Sequence, residues 1–115
     1  MYYNIVHMTN MLNLGDFEQI LLLAILRLEE QGAYGVSIRD EIAAHTRRNP
    51  TPGAIYTTLE RLEGKGLVKS ATGEATAERG GRAKRYYTVT KLGRETLREV
   101  QNDYRNLSQG LGLHA

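Results

Sequence analysis

The sequence predicts a mainly α fold with one small β-hairpin: three helices, two strands joined by a long polar loop, and a final helix. Three observations carry this. Apolar residues recur at helical spacing from Asp16 to about Gly64, with two breaks. The period turns strand-like beyond Gly66, and helical spacing returns after Thr90. At 115 residues, 41% of them hydrophobic and 24% charged, the chain has room for one domain with one modest core.

Residues 1–13 read as a flexible arm in which Met8 and Met11 are both candidate starts. The first helix is expected over residues 16–30, with Asp16 and Glu18 in the first turn, where the helix dipole favours acids. Phe17, Ile20, Leu21, Ala24, Ile25 and Leu28 form one apolar face. Leu22, Leu23 and Leu26 carry apolar surface almost around the helix. A helix apolar on most sides must be covered on most sides, which predicts a second chain against those three leucines. The Gly32-Ala33-Tyr34-Gly35 segment breaks the pattern. A second helix then starts at Gly35 or Ser37 and runs to Thr46, with Ile38, Ile42 and Ala43 inward.

Asn49-Pro50-Thr51-Pro52-Gly53 is a turn followed by a strong helix start. Thr51 is an N-cap, and Pro52 falls at the first helical position, where its missing N–H costs nothing. The third helix continues to Gly64 with Ile55, Leu59 and Leu62 inside. Gly64 and Gly66 are expected to end it in left-handed conformations. Strands are expected over residues 67–71 and 85–90, with residues 72–84 as an exposed loop. Thr90 caps a last helix to about Gln109. This order is a winged helix-turn-helix over residues 14–90, a C-terminal dimerisation helix over 91–110 and a tail over 111–115.

Charge singles out the hairpin. The net charge is +2, but residues 61–94 hold nine basic and three acidic side chains, against four basic and seven acidic in residues 1–60. A positive region this local suits a polyanion, although a solvated charged face gives the same count. Position favours the first reading. Arg79, Arg82, Lys84 and Arg85 sit in the loop directly after the helix-turn-helix, kept slim by Gly80 and Gly81. Such a loop can track a phosphate backbone or enter a narrow minor groove. The third helix would meet the major groove with its N-terminal end, presenting Thr51, Gly53, Tyr56 and Thr57. Tyr56 equally suits a place packed beneath the wing, and Arg61 suits a pair with Glu63 or with a neighbouring helix.

Leu97, Val100, Tyr104, Leu107 and Leu111 recur at steps of three, four, three and four, a seam for helix-on-helix packing. It either covers the chain's own core or, with Leu22, Leu23 and Leu26, forms a homodimer interface. A dimer would present two third helices and two wings to a palindromic DNA site.

The sequence excludes other classes. It has no cysteine, hence no disulfide or thiolate metal site, which fits a reducing cytoplasm. His7, His45 and His114 have no metal-ligand spacing, no nucleophile motif is present, and neither enzyme activity nor a cofactor is expected. The longest apolar run, Ile20 to Leu26, is far short of the roughly 20 residues of a membrane span. The first thirteen residues lack the basic start of a secretory signal. A protein-interaction module whose basic wing docks on an acidic partner is the alternative function.

Several segments resemble the PadR family of bacterial regulators. They are Leu14-Gly-Asp-Phe-Glu-Gln-Ile-Leu-Leu-Leu-Ala24, Ala33-Tyr-Gly-Val-Ser-Ile38, Pro52-Gly-Ala-Ile-Tyr-Thr-Thr-Leu-Glu-Arg-Leu-Glu63, Lys65-Gly-Leu-Val68 and Gly80-Gly-Arg-Ala-Lys-Arg-Tyr-Tyr-Thr-Val-Thr90. The resemblance runs in order from about Leu14 to Leu107. It implies a dimeric winged-helix repressor responsive to small molecules or stress; the two long apolar helices, for their part, could enclose a small hydrophobic or aromatic effector at the dimer interface. It also implies that the helix after Thr51 and the wing around Arg82 and Lys84 read DNA, and that Tyr34 and Gly35 form a backbone-contacting helix start. Larger family members carry a multi-helix C-terminal domain, whereas a single helix fits here.

Overall fold

The computed structural model describes residues 13–73 and 83–113. In chain order it contains α1 (Asp16–Leu28), α2 (Gly35–His45), α3 (Pro52–Gly64), β1 (Val68–Thr72), β2 (Arg85–Val89) and α4 (Lys91–Ser108). The strands form an antiparallel pair with Val68 opposite Val89 and Thr72 opposite Arg85. Each predicted element is present, and the ends differ from expectation by a residue or two. The chain is a winged helix-turn-helix followed by one long helix.

One core sits between α1, the inner faces of α2 and α3, the hairpin and the first half of α4. Leu21, Leu22, Ile25, Ile38, Ile55, Leu59, Leu62 and Leu67 are fully enclosed in it. Three expectations change here. Leu22 lies inside this core rather than on a face left for another chain, while Phe17 and Ile20 are only partly buried. In α1, nearly apolar all round, periodicity cannot fix which stripe turns inward. Ala43 is exposed, because α2 is short and Ile38 and Ile42 alone define its buried stripe. Gly66 is left-handed, with φ of 77°, whereas Gly64 stays helical as the last residue of α3. The α3 end closes with the Leu67 N–H donating to the Leu62 carbonyl (3.0 Å) and the Gly66 N–H to the Glu63 carbonyl (3.0 Å), so one left-handed residue suffices.

Both predicted threonine caps form. Thr51 Oγ1 accepts from the Ala54 N–H at 3.1 Å, and Thr90 Oγ1 accepts from the Gly93 N–H at 3.0 Å. Thr90 also donates to the Gly66 carbonyl at 2.7 Å, which ties the start of α4 to the turn after α3. Gly93 lies so close to the Leu67 carbonyl that a Cβ there would collide with backbone, so α4 can settle on the hairpin root only with a glycine at this point.

Long-range polar contacts complete the frame. Glu18, side chain 5% exposed, accepts from Lys65 Nζ at 3.0 and 2.9 Å and from the Gly15 N–H at 2.7 Å, joining the start of α1 to the end of α3. Glu29 accepts from the Val89 N–H and from Arg94, both at 2.9 Å, joining the end of α1 to β2 and α4. Ion pairs of this partly buried kind lock orientation more than they add stability. Among the described residues no helix is long and apolar enough to cross a membrane.

Candidate nucleic-acid interface

The site is built on the α3 start. With Ile55, Leu59 and Leu62 buried, Thr51, Gly53, Ala54, Tyr56, Thr57 and Glu60 are exposed on the opposite side. Nothing lies within 4 Å of where a Gly53 Cβ would stand, so the first turn is open to close approach. An unobstructed helix N-terminus, with backbone N–H groups and its dipole, favours an anion such as a phosphate. Glu60, not singled out in the sequence, adds an acceptor to this face of the kind that reads a cytosine amino group. The turn leading into α3 is held by Arg39, whose Nε donates to the Pro50 carbonyl at 2.8 Å. That residue was also missed, because an ion-free side chain-to-backbone link eleven positions away leaves no periodic trace.

Tyr56 keeps an outward surface and packs on the start of α2. It is 50% exposed, yet its phenol fills the space a Gly35 side chain would need. Gly35 is therefore buried beneath Tyr56 rather than offered as open backbone, and the accessible surface at the α2 start comes from Val36 and Tyr56, with Tyr34 half-buried beside them. Tyr34 is the N-cap of α2. Its N–H donates to Ser37 Oγ at 2.9 Å, and Ser37 in turn donates to the Gly32 carbonyl at 2.9 Å.

The hairpin root packs against the same corner. The Tyr87 N–H donates to the Ala33 carbonyl at 2.8 Å, so the α1–α2 loop lies along β2. Lys84 and Arg85 are both exposed. Arg85 Nε donates to Ser70 Oγ at 2.9 Å, and Ser70 donates to Glu63 at 2.8 Å, linking α3 to the hairpin. Lys84 Nζ lies 4.2 Å from the centroid of the Tyr34 ring. Arg79 and Arg82 lie outside the described residues. Burial pushes the Tyr87 phenol above its ordinary value of 10.0, and the nearby Arg85 opposes that shift. Arg61 is exposed and lies 4.0 Å from Glu18, so its partner is a neighbouring helix rather than Glu63.

The expected interface residues divide into two sets. Leu22, Leu97 and Val100 are enclosed by the chain's own core, which corrects their assignment to a face between chains. Leu23 is 41% exposed, Tyr104 60%, Leu107 79% and Leu111 65%, with Leu26 partly buried between the sets. Among the described residues no group of three His, Asp or Glu side chains could hold a metal ion. Away from this face, the Arg27 guanidinium donates to Glu41 at 2.6 Å and holds that carboxyl below its ordinary value, aided by His45.

A helix-turn-helix with an open recognition-helix start, beside a hairpin rooted in basic residues, defines a winged-helix DNA-binding protein. The match can be made narrower. Residues 22–99 match the transcriptional regulator PadR-like family, and the chain belongs to it. It is 34% identical over 76 residues to transcriptional regulator Rv3488 of Mycobacterium tuberculosis, a stretch covering 66% of each chain. Among solved structures it is similar to a PadR family transcription regulator from Clostridium difficile, at 26% identity over 81% of this chain and 92% of that one, with a TM-score of 0.64. A PadR-like transcription factor from Bacteroides fragilis shares the fold at 23% identity, over 94% and 95% of the two chains, with a TM-score of 0.69.

Proposed function

We propose that this transcriptional regulator is a repressor that binds a palindromic operator as a homodimer in the cytoplasm and is released by a small hydrophobic or aromatic effector. The observation that carries the DNA-reading part is the open first turn of α3 together with the basic loop end of the hairpin. Thr57, Tyr56 and Glu60 read base edges, the backbone at Thr51 and Gly53 meets phosphate, and Arg85, with Arg79 and Arg82, follows the backbone. Tyr34 lines the edge of this surface.

Tyr104 and Leu107, exposed on the last turns of α4, and Leu111 in the turn beyond them support the homodimer, since apolar surface of this kind is costly to leave in water. Each of these side chains, once fully buried, contributes roughly 1.5–3 kcal/mol. The groove between α1 and α4, about 490 Å³, sets the apolar Leu23, Leu26 and Leu97 beside a polar rim of Arg94, Arg98 and Arg105, and is where an effector with an apolar body and a polar edge would sit. An effector that binds better to one angle between subunits than to another shifts the half-site spacing away from the operator.

Selection of duplexes from a random library by the full-length protein tests this reading. The expected outcome is a two-fold symmetric consensus with half-sites one or two helical turns apart. A single asymmetric half-site would refute the dimeric mode, and no enrichment at all would turn attention to an acidic protein partner for the wing.

A further inference from the structure

Lys84 is the described cation nearest the basic loop, and simple charge counting makes it a phosphate contact. Its surroundings say otherwise. Its ammonium lies 4.2 Å from the centroid of the Tyr34 ring, within cation–π range. The Tyr34 ring meets the Tyr86 ring edge-on, with centroids 5.6 Å apart and planes at 74°. Lys84 stands one residue before β2 and two before Tyr86, and both reach the Tyr34 ring.

Tyr86 is itself confined. A Cβ on Gly32, where φ is 110°, would come within 2.9 Å of its ring, and a Cβ on Gly73 within 2.6 Å. The Lys84 carbonyl accepts from the Gly73 N–H at 2.7 Å, so its backbone is held as well as its side chain. Two glycines make room for one tyrosine, that tyrosine braces Tyr34, and Tyr34 receives the lysine. Tyr34 caps α2 and Lys84 stands at the loop end of the hairpin, just before β2, so this stack joins the helix-turn-helix to the wing.

We propose that Lys84 acts through Tyr34 as a positioning residue: the stack sets the angle of the hairpin's loop end on α2 before DNA arrives, so that wing and α3 fit one duplex together. The proposal rests on the DNA-binding reading above. Holding that end in its bound orientation removes an ordering cost from association. An exposed cation–π pair is worth about a two- to fivefold change in an equilibrium constant, and the effect on DNA affinity is of that size per wing.

The test has an arm without DNA and an arm with it. In the free full-length protein, proton NMR of the Lys84 side chain should show the upfield ring-current shift of methylenes lying over an aromatic face. Tyr34→Phe should keep that shift and Tyr34→Leu should abolish it. With a selected operator duplex, Lys84→Met and Tyr34→Leu should each weaken binding by about two- to fivefold per wing. The double variant should be no weaker than the weaker single one, and Lys84→Met should leave the salt dependence unchanged. A salt slope lower by about one unit in Lys84→Met, with the two losses simply multiplying, would make Lys84 a phosphate contact and overturn the proposal. DNA binding without the ring-current shift would overturn the stack alone. The shift without binding to any duplex would overturn the DNA-binding reading, and the positioning role with it.

Discussion

The two halves of α4 have the same apolar spacing and opposite fates. Leu97 and Val100, on the half that follows the Thr90 cap, are 4% and 9% exposed and close the chain's core against α1. Tyr104 and Leu107 continue the same stripe into water, while Leu111, the last position of the expected seam, falls beyond the end of α4, past the left-handed Gly110. Gln101 marks the boundary, where its side-chain amide donates to Gln19 of α1 at 3.1 Å. Beyond that point the described residues offer no further helix to lie against. A heptad stripe therefore states that a helix needs a partner, and the length of α1 decides how much of that partner is internal. The outer face of α3 shows the same division: a sealed inner stripe and an opposite side left open.

Leu97→Ala should cost about 2–5 kcal/mol in denaturant unfolding, because the cavity opens in a core that cannot collapse. A loss near zero would mean that the first half of α4 is no more a core element than the second. Thr51→Ala tests the junction between the sealed and open sides of α3. It should cost about 1 kcal/mol, while Thr51→Gly costs only a few tenths.

A smaller effect belongs to the hairpin. Burial raises the Tyr87 pKa, so the folded state holds its phenolic proton more tightly than the unfolded state does. The resulting stability is complete below the ordinary phenol value of 10.0 and is lost as pH rises toward and through the folded pKa. Unfolding followed from pH 8 to 11 should show a decline that Tyr87→Phe makes shallower, and identical slopes would place Tyr87 in an aqueous environment. The smallest change in the fold is expected on the open side. Leu107→Glu should shift the stability of the isolated subunit by no more than about 0.5 kcal/mol. In sedimentation the same variant should convert the proposed dimer into monomers; an unchanged mass would remove the second half of α4 from the interface.

How much of this could be read from residue order depends on the range of the interaction. The caps Thr51 and Thr90, the Pro52 start and the left-handed Gly66 are settled within four residues, and local chemistry predicted all of them. The change from helical to alternating period placed both strands to within a residue. What escaped was phase and distance. With Leu21, Leu22, Leu23 and Leu26 all apolar, only tertiary packing selects Leu22 for the core and leaves Leu23 outside. The Glu18–Lys65 and Glu29–Arg94 pairs span 47 and 65 positions, and charge spacing does not encode such partners. At the candidate site, the open face of α3 was legible from its apolar stripe. The burial of Gly35 under Tyr56 and the seat of Lys84 on Tyr34 arise where three segments meet, and became visible only in three dimensions.

The central claim, that the open side of α3 and the basic hairpin read DNA, is tested most directly by fluorescence anisotropy. Labelled duplex from upstream of the protein's own gene would be titrated at two salt concentrations beside a scrambled duplex of equal length. The account predicts tighter binding to the native duplex and an affinity that falls steeply as salt rises. Equal and weak binding to both duplexes would contradict it and leave only a basic surface.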